Sequence, residues 1–228
     1  MMKGRDSTVD RITTIDETTA ERLELAVRES FPKLDESEQR ISLALYRALA
    51  NGRPVALPQL AESPGLPGAV ELAAVVDAWP AVYRNDQGEV IGYWGLALGG
   101  TGHAIEVRGV SLTTWCAWDT LFLPEVLQAD INVDSRCPVS GKHVRLRVGP
   151  KGVVSSDPSS PVLSFLDPTG KVDDGVISSF CHHIHFFADR GAGEQWISSR
   201  PDGLLLDLEQ GWHLARVANR ARYPSFLT

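Results

Sequence analysis

The chain has 228 residues, 43% of them hydrophobic and 22% charged, with a formal net charge of -7. That content supports a sizeable core and excludes a disordered or fibrous chain, and the acidic balance disfavours general affinity for a phosphate backbone. No run approaches the roughly 20 apolar residues of a membrane helix, and Met1 to Arg11 lacks the apolar stretch of a signal peptide, so a cytoplasmic protein with no membrane and no nucleic-acid partner is expected.

Two parts are read along the chain, 1–100 and 101–228. In the first, Ile15 to Arg28 reads as a polar, acidic helix. Asp35 with Glu38 three residues on is a capping-box pattern, and Ile41, Leu45, Tyr46 and Leu49 follow at roughly helical spacing. Asn51-Gly52 stops that helix. Val55 to Ala61 can form a short second helix, and Ala69 to Trp79 a third, ended by Pro80. Ala81 to Tyr83, a turn at Asn85-Asp86-Gln87-Gly88, and Val90 to Leu98 compose a β-hairpin. Three helices followed by a hairpin is a winged-helix-like pattern. The third helix carries Glu71 and Asp77 and no Lys or Arg, unlike a helix that reads a DNA groove, so a structural or lid role is expected instead.

In the second part, His103 to Val107 reads as a strand and Trp115 to Gln128 as a helix, with Thr113 or Thr114 as its cap. Lys142 to Val148, Val162 to Leu166 and Ser179 to Ala188 read as strands, Gly193 to Ser199 as a short helix and Asp207 to Arg222 as a closing helix. Without regular βαβ alternation, the class is α+β: a winged-helix-like helical part followed by a mixed α/β catalytic part with a small sheet. The glycine pairs form no phosphate-binding fingerprint.

Three cysteines, Cys116, Cys137 and Cys181, are an odd and scattered set, which argues against a disulfide scaffold and for free thiols that are either inert core residues or chemistry. Three segments contain them. In Trp115-Cys116-Ala117-Trp118-Asp119, a helical conformation puts Cys116 and Asp119 on one face, and a helix N-terminus lowers a thiol pKa. The plainer reading, favoured on this motif alone, is a buried cysteine between two tryptophans with Asp119 on the solvated side. In Phe180-Cys181-His182-His183-Ile184-His185-Phe186-Phe187, a strand would point Cys181, His183 and His185 one way, a set able to bind zinc or copper. Histidines satisfying buried polar groups are the favoured plainer reading, and no CxxC or HExxH pattern supports structural zinc. Arg136-Cys137-Pro138-Val139-Ser140-Gly141 reads as a tight turn around a small buried sulfur.

Taken together these segments resemble the organomercurial lyase (alkylmercury lyase) family from about Ile41 to the closing helix. The likeness runs through Ala48-Leu49-Ala50-Asn51-Gly52-Arg53-Pro54-Val55, Gly88-Glu89-Val90-Ile91-Gly92-Tyr93, and the two motifs around Cys116 and Cys181. The resemblance implies that Cys116 and Cys181 match the family's two mercury-binding cysteines, Asp119 its catalytic aspartate beside the metal, and Cys137 a third cysteine of structural role. One departure is His182, where family members often carry a second cysteine; that neighbour is outside the catalytic trio, so activity is expected to persist. The implied activity is protonolysis of the carbon–mercury bond of alkyl- and arylmercury compounds, giving a hydrocarbon and Hg(II), in mercury detoxification. The implied requirements are no resident cofactor, low-molecular-weight thiols, and hand-off of Hg(II) to a mercuric reductase. Asp119 itself is expected to have a raised pKa in the apolar setting of Trp115, Trp118, Leu121 and Phe122. The competing readings are a thiol-based binder or sensor of Hg, Cu or Zn without lyase activity, and a metal-responsive regulator.

Overall fold

Capping chemistry sets the N-terminal helices in this computed structural model, which describes residues 15–100, 102–166 and 179–227; Met1 to Arg11 lies outside them. Asp16 caps α1 (Glu17–Ser30) by accepting the Thr19 N–H. The expected capping box is formed at α2 (Glu36–Leu49): Asp35 accepts the Glu38 N–H at 2.9 Å, and Glu38 accepts the Asp35 N–H at 2.8 Å. Two shorter helices follow, α3 (Leu57–Leu60) and α4 (Ala69–Asp77).

The expected hairpin forms as β1 (Val82–Arg84) and β2 (Val90–Tyr93), but Val90 to Leu98 is not one strand. The chain reverses at Trp94 (φ 37°) and Gly95 (φ 90°) into β3 (Leu96–Ala97). Next come β4 (His103–Val107) and β5 (Val110–Thr114), joined through Arg108 and Gly109, both at positive φ as a tight hairpin turn requires. After α5 (Asp119–Leu127) come β6 (Ile131–Arg136), β7 (His143–Gly149), β8 (Gly152–Asp157) and β9 (Val162–Leu166). The chain ends in β10 (Phe186–Phe187), α6 (Arg190–Ile197), β11 (Gly203–Asp207) and α7 (Leu208–Arg222).

The protein is mixed α and β, and the sheet is not small. Eight strands pair antiparallel in the order β1-β2-β3-β5-β4-β6-β7-β8, and a second antiparallel sheet runs β10-β9-β11. The expectation of a small sheet missed β5, β6 and β8, and the hairpin β1–β2 continues into the large sheet through β3. On the inner face, Ile105, Val107, Ile131, Val133, Val144, Leu146 and Val148 alternate with exposed residues, the signature of a half-buried antiparallel sheet.

Against this face, on β6 and β7, packs α5, enclosed also by α2 and α7. All nine of its residues are buried, as expected of a helix at the centre of a core rather than at its surface. Gly211 lets α7 approach: a methyl there would lie 2.8 Å from Leu163 and 3.0 Å from Leu121. Both the Cys116 segment, just before α5, and the Cys181 segment, before β10, are thereby anchored in the interior. Among the described residues no helix is long and apolar enough to cross a membrane.

Candidate thiol–carboxyl site

The Cys116 segment is not helical. The helix expected over Trp115 to Gln128 starts at Asp119, with Trp118 as an N-cap lacking a side-chain bond and neither Thr113 nor Thr114 capping it. The reason is that the donors and acceptors of this loop are taken up elsewhere. Trp115 N–H donates to the Gly95 carbonyl (3.0 Å), Ala117 N–H to the Ile184 carbonyl (3.2 Å), and the Thr114 hydroxyl to the Cys116 carbonyl (3.0 Å). Asp119, in the first turn of α5, folds back so that its Oδ2 accepts the Cys116 N–H at 2.7 Å. The expected proximity of thiol and carboxyl is present, through this reverse bond and not through a shared helix face.

The Cys181 segment is likewise not a strand. Cys181–His183 forms a single 3₁₀ turn, and only Phe186–Phe187 pairs in a sheet. Ser164 holds the turn: its hydroxyl donates to the His183 carbonyl (2.7 Å) and accepts the His185 N–H (2.9 Å). The alternation that would align Cys181, His183 and His185 is therefore lost.

The fold brings Cys116, Asp119 and Cys181 together. Their ligating atoms all lie within 4.8 Å of one another, and all three residues are buried. Among the described residues this is the one metal-capable group of three or more such side chains, and none of the histidines belongs to it. Asp119 is not on a solvated side; it is 5% exposed. Burial raises its pKa to about 7, against the opposing pull of the Cys116 N–H, the Cys116 thiol and the Trp115 N–H. The Cys116 thiol is also pushed well above its ordinary value, first by burial and then by the neighbouring Cys181 thiol and Asp119 charge. The thiol pKa lowering expected from a helix N-terminus does not occur, because Cys116 sits outside the helix and is fully buried.

A narrow cavity of about 40 Å³ reaches this group, lined by apolar and aromatic side chains including Val27, Phe31, Trp94, Trp118, Phe165 and Phe180. Trp118 is its central wall, edge-on to Phe165 (5.3 Å) and Phe180 (6.2 Å), with its indole N–H donating to the Gly211 carbonyl at 2.9 Å. Val27 and Phe31 come from the end of α1, and Gly95 meets the Asp119 carboxyl; the sequence carried no motif that marked these positions. Cys137 stands apart in its expected turn, with its carbonyl accepting the Gly141 N–H and its sulfur the Ser140 N–H.

The sequence profile of the family described as alkylmercury lyase matches residues 96–218, which include Cys116, Asp119, Cys137 and Cys181. An alkylmercury lyase of Staphylococcus epidermidis is 38% identical over 179 residues, covering 78% of this chain and 81% of that protein. The chain belongs to the alkylmercury lyase family. Other alkylmercury lyases, of Bacillus cereus and Pseudomonas putida, are each 35% identical to this family member, covering 80% and 77% of it and 82% and 81% of their own length. The fold of this alkylmercury lyase homologue also matches a crystal structure of the mercury-bound form of MerB2, with a TM-score of 0.70 at 22% identity, over 89% of this chain and 97% of that one.

Proposed function

We propose that this protein cleaves the carbon–mercury bond of alkyl- and arylmercury compounds by protonolysis, with Cys116 and Cys181 as the mercury-binding thiols and Asp119 as the proton shuttle. The observation that carries this reading is the trio itself: two buried thiols and a carboxyl whose pKa is about 7, with ligating atoms within 4.8 Å of one another.

Mercury is a soft metal, and thiolates are its preferred ligands. A monoorganomercury cation arrives bound to a small thiol. One cysteine displaces that thiol: the new S–Hg bond forms as the bond to the small thiol breaks, and the cysteine's proton leaves on the released thiol. The second cysteine then binds and gives its proton to Asp119. Raised coordination pushes electron density through mercury onto carbon. The C–Hg bond breaks with its electron pair on carbon, which takes the proton from Asp119. The hydrocarbon leaves, and Hg(II) stays between the two sulfurs. A carboxyl with an ordinary pKa of about 4 is a poor proton store near neutral pH; one poised near 7 can both accept and donate. The apolar walls favour charge-neutral intermediates and exclude competing water.

On this reading the protein needs no resident cofactor. External low-molecular-weight thiols, or a mercuric reductase, remove Hg(II) from the two sulfurs, and the protein acts in mercury detoxification in the cytoplasm. Its cysteines are all free, in keeping with a reducing compartment. On this reading a winged-helix-like part, 1–100, acts as a lid on a catalytic part, 101–228; the contribution of Val27 and Phe31 to the cavity supports this. A carrier that holds mercury without cleaving it would use the same thiols but has no need of Asp119.

The test is incubation of the protein with methylmercury or phenylmercury and excess cysteine, following methane or benzene by gas chromatography. Catalytic release supports the lyase; tight mercury binding without hydrocarbon establishes the carrier instead.

A further inference from the structure

Cys116 and Cys181 lie on loops far apart in sequence, and two sulfurs can share one metal only if their separation is held. A backbone hydrogen bond links the loops: the Ala117 N–H, next to Cys116, donates to the Ile184 carbonyl at 3.2 Å. Ile184 is tied in turn to the other cysteine, its N–H donating to the Cys181 carbonyl at 3.2 Å. The two peptide groups that flank Ile184 therefore each carry one of these links. The group joining Ile184 to His185 reaches the Cys116 loop, and the group joining His183 to Ile184 reaches Cys181.

The Ser164 hydroxyl grips the opposite end of both groups. It accepts the His185 N–H at 2.9 Å and donates to the His183 carbonyl at 2.7 Å. A peptide group is a rigid plane, so fixing one end orients the other. Regular pairing of β10 with β9 covers only Phe186 with Leu163 and Phe187 with Val162. One further backbone bond, from the Ser164 N–H to the His185 carbonyl at 3.0 Å, extends it, and beyond that the serine side chain takes over. Ser164 is 2% exposed and Ile184 fully buried, so water does not substitute for the hydroxyl. A hydroxyl suits the position because it donates and accepts at once on a short stem. Phe165, the next residue, packs edge-on against Phe180 at 5.3 Å, which brings β9 to the turn but does not orient its peptide planes.

We infer that Ser164 is a positioning residue for the two-thiol site: its hydroxyl orients the two peptide groups around Ile184 and so sets the separation of Cys116 from Cys181. This rests on the lyase reading for its kinetic consequence but not for its geometric one. Outer groups that orient metal ligands typically tune a site by about 10- to 100-fold, and a misplacement of about 1 Å alters rates by about 100-fold.

The experiment compares the full-length parent with Ser164→Ala, Ser164→Thr and Ser164→Val. Threonine and valine share a shape and differ in the hydroxyl. Each protein is assayed for thermal melting and, well below its melting point, for kcat and KM of hydrocarbon release from ethylmercury with excess cysteine. Retention of Hg(II) against a competing dithiol is followed by the ultraviolet thiolate-to-mercury charge-transfer band. The expected result is that folded Ser164→Ala and Ser164→Val lose about 10- to 100-fold in kcat, with a smaller change in KM, and lose Hg(II) to the dithiol at lower concentration. Ser164→Thr should recover most of both losses. A folded Ser164→Ala with parental kcat and Hg(II) retention overturns the inference, as do valine and threonine variants that are equally impaired. If alanine prevents folding, the threonine and valine pair decides; if neither Ala nor Val folds, the hydroxyl is a requirement of folding and the positioning role is overturned. A parent that releases no hydrocarbon defeats the lyase reading, while Hg(II) retention still decides the role of Ser164.

Discussion

A methyl group on Gly95 would lie 2.6 Å from both Cγ and Oδ1 of Asp119. Gly95 also has φ of +90°, a conformation that side chains with a Cβ rarely adopt. The residue is thus required twice, by its own backbone and by the carboxyl it lets in. Gly95→Ala is expected to destabilise the protein by about 1–3 kcal/mol and to lower hydrocarbon release by more than the melting shift accounts for, since the displaced group is the proposed proton shuttle. Urea unfolding beside initial rates checks this; an alanine variant with parental rate would show that the carboxyl is not held by this contact.

The raised pKa of Asp119 makes stability depend on pH in a definite direction. Unfolded, the carboxyl titrates near 3.9; folded, it titrates at about 7. Between those values the folded chain holds a proton that the unfolded chain has released, so stability falls as pH rises through this window, by roughly 1.4 kcal/mol per unit of pKa difference when complete. Asp119→Asn cannot ionise. The variant is expected to gain melting temperature relative to the parent at pH 8, with the gain shrinking toward pH 5, while losing activity by about 100-fold or more. Parallel melting curves of the two proteins across pH 5 to 8 would contradict the raised pKa.

Trp118 joins the site to the core. It packs on Phe31, Phe122, Phe165 and Phe180, and its N–H reaches Gly211 of α7. Trp118→Ala is expected to cost about 3–5 kcal/mol. Trp118→Phe should cost less because most of the apolar contact survives. Denaturant titration gives both values.

Arg222 supplies a fourth test. Its guanidinium is buried, lies 4.2 Å from the Trp94 ring and donates to the Tyr93 hydroxyl at 2.8 Å, in a network where Ser42 joins Tyr93 and Tyr223. Planarity and delocalised charge suit this aromatic setting, and an ammonium does not reproduce them. Arg222→Lys is expected to destabilise by about 2 kcal/mol, read from thermal or urea unfolding; an unchanged stability would show that the planar contact contributes nothing.

The sequence was most legible where local chemistry decides structure. Asp35 with Glu38 formed the expected cap, and the closing helix formed as expected with Asp207 as its N-cap and not its first residue. The site residues were legible as a pair of motifs, because Cys116 with Asp119 and Cys181 among histidines are unusual combinations. What failed was the conformation between caps. Cys116 to Trp118 read as helix because apolar residues continue smoothly into α5, yet their backbone groups are taken by Gly95 and Ile184, which are distant in sequence. Ser179 to Ala188 read as one strand, yet Ser164 ties Cys181 to His183 into a turn and only Phe186–Phe187 pairs in a sheet. β6 was overlooked although Ile131, Val133 and Ser135 alternate with polar residues, because Asn132 and Asp134 are poor strand formers. The histidines suggested a metal site, but the plainer reading favoured for them agrees with the structure: among the described residues they lie outside the thiol–carboxyl group.

The central claim is that Asp119 delivers a proton to carbon while two cysteines hold mercury. The most direct measurement is a single turnover of phenylmercury in D₂O by the parent and Asp119→Asn, with benzene analysed by mass spectrometry and Hg(II) retention followed in parallel. The account predicts monodeuterated benzene from the parent, with Hg(II) left on the protein, and mercury binding without benzene from Asp119→Asn. Equal benzene yield and rate from the two proteins would contradict it.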